Sequence, residues 1–310
     1  MLAYPRLVAE SCSFSPCHIT GFYHKIFDHS SALRTGSVGA GVSISQGVTT
    51  TVRVYEDVPH TSYDIAINGI TTDNARVSRK VLDEYLPLLK GPRHFSINHE
   101  IKVPIGFGLG SSGAAALSLS YALNQALAIS YSPLECAQIA HCAELSCKTG
   151  LGTVCSEFIG GLEIRTTAGA PGIGRIEKLS LRNTSVIAIC LAALPTSLYI
   201  DLHDDNSTEK AKKFSSYLLQ TFTTDNFLRL SFEFANGLGI INRTCKSVIK
   251  LLQSKGFLAS IALFGQTVFT IIPDNEVETA LKVVEQYLPY LLVSSVDNSG
   301  AKLLKISQIG

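Results

Sequence analysis

An α+β fold is expected for this chain of 310 residues, and three observations predict it. Strand-like text with glycine turns fills the first half, two adjacent helices follow it, and a second run of helices and short strands closes the chain. No internal repeat or low-complexity tract interrupts this order. With 46% hydrophobic and only 16% charged residues, the chain carries enough apolar surface to bury a dense core.

Residues 49–54 (TTTVRV), 63–67 and 95–101 (FSINHEI) read as strands by their β-branched content or alternation. A helix rich in Ala and Leu is expected over about 111–129. The next opens at Ser132-Pro133-Leu134-Glu135, where Ser fits the N-cap, Pro the first turn and Glu the third position of a capping box. After Gly160-Gly161 and the turn-rich 168–174 comes a strand at 185–191, then a polar stretch over 201–213. A boundary near 180 divides the chain into units 1–180 and 181–310. In the second unit, helices are expected near 208–220, 225–236, 242–255 and 275–287, and strands near 258–263, 268–272, 290–296 and 302–306.

Lys and Arg number 26 against 25 Asp and Glu, a net charge of +1, so the basic excess that nucleic-acid binding draws on is missing and no such partner is expected. The eight cysteines (12, 17, 136, 142, 147, 155, 190 and 245) form no CxxC pair and read as reduced core residues. No secretory signal is visible, and a cytoplasmic location is the default expectation. No charged residue occurs between Lys102 and Glu135, a length that can cross a bilayer. Pro104, the glycines before Ser111 and the polar Ser118, Ser120, Asn124 and Gln125 favour a buried helix instead, with no membrane partner.

The most informative text is Pro104-Ile-Gly106-Phe-Gly108-Leu109-Gly110-Ser111-Ser112-Gly113-Ala114, a glycine-rich loop between a strand and a long helix. Glycines let backbone N–H groups close around phosphate oxygens, and a helix start adds partial positive charge. A phosphate cradle is the physical reading. Gly108-x-Gly110-x-x-Gly113 also matches a dinucleotide fingerprint, but no acidic residue ends a second strand roughly 20 residues on. No Lys follows the last glycine, which excludes a Walker A loop. A glycine turn that only packs the helix on a sheet stays open as an alternative.

This string resembles the phosphate-binding PxxxGLGSSAA motif of the GHMP kinases, a superfamily of small-molecule kinases. Further stretches are similar to the archaeal pantoate kinases within it: Pro16-Cys17-His18-Ile19-Thr20-Gly21-Phe22-Tyr23, Gly36-Ser37-Val38-Gly39-Ala40-Gly41, Lys148-Thr149-Gly150-Leu151-Gly152 and Gly160-Gly161-x-x-x-Arg165. So are Gly169-Ala170-Pro171-Gly172, 263–269 and Asp297-Asn298-Ser299-Gly300-Ala301. The resemblance implies transfer of the ATP γ-phosphoryl group to the 4-hydroxyl of (R)-pantoate, giving 4-phosphopantoate on the archaeal route to coenzyme A. It also implies the GHMP kinase fold, an N-terminal domain like ribosomal protein S5 domain 2 followed by a ferredoxin-like domain. A homodimer is compatible with the sequence.

The resemblance assigns the ATP cradle to Pro104, Gly106, Gly108, Leu109, Gly110, Ser111, Ser112, Gly113 and Ala114. Ser112 aligns with the serine whose hydroxyl reaches Mg²⁺, with a helix cap as the other reading of that residue. Glu144 takes the role of carboxylate contact to Mg²⁺, with a solvated surface Glu as its alternative. For the acceptor, His18 and Thr20, Arg34 and Arg165, Ser37 and Gly39, and Gly152 are candidates, the arginines because guanidinium forms paired bonds to carboxylates. Three residues before Glu144, His141 reads as a packing histidine or a functional one.

Two positions depart from the pattern. Where the family reads Thr-Gly-Leu-Gly-Asp-Val, this chain has Thr149-Gly150-Leu151-Gly152-Thr153-Val154, so a threonine occupies the catalytic position. Cys17 stands where a glycine is usual, which bears on the tightness of that first loop. Glu157 lies four residues after Thr153, and on a helix it would share that face. Two other functions remain open: a kinase of another small hydroxy acid such as homoserine or mevalonate, and a catalytically silent binder of the same fold.

Overall fold

In the computed structural model, residues 5–194 and 205–305 are described. Two long strands, β1 (Arg6–Ile26) and β2 (Gly36–Glu56), form an antiparallel hairpin that dominates the first sheet. After β3 (Ser62–Ile67) and β4 (Ile70–Thr71), helix α1 (Arg76–Tyr85) leads to β5 (His94–Ile101). The strands expected at 49–54, 63–67 and 95–101 all lie inside β2, β3 and β5. Residues 16–23, expected as a loop around Cys17, belong instead to β1, whose pairing with β2 shifts at Ser15/Cys17 and Thr20/Phe22. Cys17 is buried in an extended strand, so it tightens no turn.

Helix α2 (Ser111–Ala126) follows the glycine loop and is buried on nearly every side from Gly113 to Leu123, as the charge-free segment predicts. No helix among the described residues is long and apolar enough to cross a membrane. Helix α3 (Pro133–Cys147) starts at the expected capping box: Ser132 Oγ accepts from the Glu135 N–H, and Glu135 Oε2 accepts from the Ser132 N–H at 2.8 Å. A short helix, α4 (Thr153–Ile159), then leads through Gly160-Gly161 to β6 (Leu162–Thr167), which pairs with the Gly39 end of β2, and to β7 (Arg175–Leu179).

The second sheet is built from β8 (Thr184–Ala193), three helices, α5 (Asp205–Gln220), α6 (Thr224–Gly237) and α7 (Arg243–Gln253), then β9 (Ser260–Ala262), β10 (Gly265–Pro273), α8 (Val277–Val283) and β11 (Leu291–Ser295). Its antiparallel order β11-β8-β10-β9 is the ferredoxin-like arrangement, with the three helices filling the first crossover. The helix expected over 275–287 is shorter: α8 is flanked by 3-10 turns at 274–276 and 285–290. Pro289 lies within the second of these turns. A last strand, β12 (Lys302–Leu304), returns to pair with β1. The start of the polar stretch 201–213 and the end of the strand expected at 302–306 lie outside the described residues.

The boundary proposed near 180 falls between β7 and β8, and all strands of the second sheet lie beyond it. We keep the division as a proposal, because β12 crosses back and one apolar cluster runs through both sheets, joining Phe22 and Ile44 to Phe227 and Phe269. A second cluster fills the space between the first sheet and α1, α2 and α3. All eight cysteines are free thiols, six of them buried.

Candidate active site

The glycine loop is held by residues far apart in the chain. Leu194 N–H donates to the Gly106 carbonyl at 2.8 Å, Thr267 Oγ1 donates to the Phe107 carbonyl at 2.8 Å, and His18 N–H donates to the Leu109 carbonyl at 3.1 Å. Gly110 is the residue before α2 and takes a left-handed φ of 71°. A Cβ there would press within 3.0 Å of the His18 backbone, so both the turn and the close approach require glycine. Because the first N–H groups of a helix lack internal partners, the α2 start presents Ser111, Ser112 and Gly113 amides to the pocket they line. These features fit a phosphate chain.

Ser112 does not cap the helix. Its hydroxyl donates to Glu144 Oε1 at 2.5 Å, and Thr149 Oγ1 donates to the same oxygen at 2.6 Å. Glu144 projects from α3 and is buried at 3% exposure, which removes the surface reading. Burial pushes its carboxyl pKa up, and the two hydroxyl bonds oppose that rise. A buried carboxylate beside a hydroxyl is a hard-oxygen donor pair of the kind magnesium takes, so the residues present fit that ion.

A second polar group lies under the same pocket. His18 on β1, Glu163 and Arg165 on β6 and Ser156 on α4 are all buried. Glu163 Oε1 accepts from Arg165 Nη1 and from Ser156 Oγ, and His18 Nε2 lies 3.0 Å from it. Arg165 Nε has no partner among the described residues, although the side chain lines the pocket. Nη1 of the guanidinium is therefore anchored, while Nε is a buried donor left unsatisfied at the pocket wall.

The pocket brings together most of the sequence candidates: Gly106, Gly108, Leu109, Gly110, Ser111, Ser112 and Gly113 from the loop, with His18, Thr20, Ser37, Glu144, Gly152, Thr153 and Arg165. It does not include Pro104, Ala114 or Gly39. Ala114 is fully buried inside α2, and Gly39 pairs with Arg165 in the sheet, so it acts on the site only through that strand. Arg34 is also outside. Its Nε donates to Asp28 Oδ2 at 2.6 Å on an exposed turn, a surface ion pair outside the pocket. His141 donates from Nε2 to the Thr35 carbonyl at 2.9 Å and is a satisfied packing residue.

Glu157 shares the α4 face of Thr153 but is neither exposed nor in the pocket. It lies beneath the cradle, where a Cβ at Gly113 would meet Glu157 Oε2 at 2.6 Å, and both its oxygens lack partners among the described residues. Burial, reinforced by the Glu144 charge, raises its pKa well above the carboxylate range. It lies outside the pocket, away from the position where it could replace an aspartate. Sequence reasoning gave no role to Thr149, which holds Glu144, or to Glu163; Thr149 stands at a named position of a matched motif, which was the available signal, whereas Glu163 falls at an unspecified one. Tyr23 and Phe264, whose rings pack 5.2 Å apart, also line the pocket.

The family model described as the GHMP kinases N terminal domain matches residues 75–161, which contain the loop, α2 and Glu144. A pantoate kinase from Methanocaldococcus jannaschii is 32% identical over 282 residues, covering 88% of this chain and 96% of that one. The chain belongs to the pantoate kinase family of the GHMP kinases. A second family member, from Methanospirillum hungatei, is 30% identical, covering 87% of this chain and 89% of its own length. A solved structure described as a phosphotransferase related to the CoA biosynthesis pathway superposes with a TM-score of 0.86 at 24% identity, covering 97% of this chain and 100% of that one. The fold is thus that of the GHMP kinases along nearly the whole chain, and the family makes it an ATP-using small-molecule kinase.

Proposed function

We propose that this chain transfers the γ-phosphoryl group of ATP to the 4-hydroxyl of (R)-pantoate, forming 4-phosphopantoate for archaeal coenzyme A synthesis. The observation that carries the reading is one pocket holding a glycine cradle, a hydroxyl–carboxylate pair and an arginine whose Nε is left without a partner. Phosphoryl transfer passes through a loose transition state, so catalysis is mostly positioning and charge stabilisation. The loop amides and the α2 start bind the phosphate oxygens. Ser112 and Glu144 would hold magnesium, which when bound neutralises phosphate charge. Arg165, fixed by Glu163 and Ser156, orients the pantoate carboxylate, with Ser37 and Gly152 beside it.

Thr153 leaves a hydroxyl in the pocket wall where the resemblance expects a carboxylate. In a loose transition state the acceptor proton leaves late, so this substitution is compatible with turnover. The test is an acceptor panel of pantoate, homoserine and mevalonate, followed by ADP release and by ³¹P spectra of the product. Pantoate is expected to give the highest kcat/KM and a phosphomonoester at its 4-oxygen. A preference for another acceptor, or nucleotide binding without product, would overturn the reading.

A further inference from the structure

Of the side chains lining the pocket, two offer a carboxylate or an imidazole as proton acceptor, Glu144 and His18. Glu144 is engaged by the Ser112 and Thr149 hydroxyls. His18 is placed differently. Its Nε2 lies 3.0 Å from Glu163 Oε1, and its Nδ1 lies 3.3 Å from Thr20 Oγ1. Glu163 Oε1, already taking bonds from Ser156 and Arg165, can only accept, so Nε2 carries the ring proton. Burial pulls the His18 pKa down more than Glu163 raises it, which keeps the ring neutral. Nδ1 is then a free lone pair, and the Thr20 hydroxyl donates to it.

The ring is closely packed against β2. A Cβ on Gly41 of β2 would sit 2.2 Å from His18 Nε2, so the imidazole fills the space a side chain would take. The charged groups acting on it are Glu163 and Arg165, both from β6. Thr20 is half-buried and lines the pocket, so its hydroxyl oxygen is open to an acceptor hydroxyl.

We propose that the acceptor hydroxyl gives its proton to Thr20 Oγ1 while Thr20 passes its own proton to His18 Nδ1, with Glu163 as the positioning residue. The inference rests on the kinase reading above and deepens it by naming the proton's path. In the step, the acceptor oxygen forms its bond to the γ-phosphorus, and the bond from that phosphorus to the bridging oxygen breaks. Its electron pair leaves with ADP. The imidazolium that results is stabilised by Glu163 and returns its proton to solvent after product release.

Three measurements test this on the full-length protein. Thr20→Val, nearly isosteric at a half-buried site, should lower kcat by about 10²-fold or more, with the pantoate KM changed less than about threefold. Glu163→Gln should move the acid limb of the kcat–pH profile to lower pH, because the imidazolium loses its carboxylate partner. Nitrogen-15 spectra of the wild type at neutral pH, which need no activity, should show His18 protonated at Nε2 and bare at Nδ1. Full kcat in Thr20→Val, an unmoved acid limb in Glu163→Gln, or the opposite tautomer would each overturn the relay. A wild type that phosphorylates no pantoate instead refutes the kinase reading, whereas one that does so while Thr20→Val keeps full kcat refutes the relay alone.

Discussion

Ser112 and Glu144 come from two helices and meet at a single hydrogen bond of 2.5 Å, so neither side chain can be changed without altering the other's surroundings. Ser112→Ala and Glu144→Gln should each lower magnesium-dependent kcat/KM by about 10²-fold or more, and the double variant should fall well short of the product of the two. Initial rates across a magnesium titration check this, and strict additivity would separate the two residues. Thr153→Asp should keep or raise kcat with pantoate, since it adds a second proton acceptor in the pocket wall; a loss of more than about tenfold contradicts the late-proton account. The cradle was legible in the sequence because left-handed turns at a helix start leave a glycine spacing that little else produces. Glu163 was not legible. A glutamate in a strand looks solvated until the pairing of β6 with β2 places it over His18, and Arg34 looked like a ligand until its turn paired it with Asp28.

Elements carry their own consequences. His99 joins β5 to β2 through Thr50 Oγ1 at 2.8 Å and to α1 through Ser78 Oγ at 3.0 Å. Burial pushes its pKa from 6.5 down to about 4, so protonation favours the unfolded chain. Stability from this group is fully present above pH 6.5 and declines as pH falls toward 4, and the lowered pKa values of His18 and His141 act in the same direction. Urea midpoints measured across that range should drop, and His99→Gln should make the drop shallower. Asn242 caps α7 by accepting from the Cys245 N–H at 2.8 Å; Asn242→Ala should cost about 1 kcal/mol, read from the same midpoints. The capping box of α3 was readable because it needs only four residues. Helix α1 was readable in principle from its period, since Val77, Val81, Leu82 and Tyr85 are buried on one face.

In the whole molecule, the pocket sits where the two sheets meet, with the cradle held by residues of β10 and by Leu194 as well as by β1. Phe22 of β1 packs edge-on to Phe214 at 5.8 Å and against Phe234 at 6.2 Å, so the first sheet is cored partly by helices of the second unit. Phe22→Ala should cost about 3–5 kcal/mol and lower amide protection in β2 and β8 together; loss confined to β2 would mean that the units unfold separately. No sequence pattern showed that β12 returns to β1, because a three-residue edge strand carries almost no periodic signal. The central claim is that this one pocket aligns ATP and pantoate for phosphoryl transfer. A crystal structure of the full chain with pantoate, magnesium and a non-hydrolysable ATP analogue tests it most directly. The account predicts β- and γ-phosphates on the amides of 106–113, the pantoate carboxylate on Arg165, and the 4-hydroxyl within about 3.5 Å of the γ-phosphorus and in hydrogen-bond reach of Thr20. Pantoate bound elsewhere, or its hydroxyl turned away from the γ-phosphate, would contradict it.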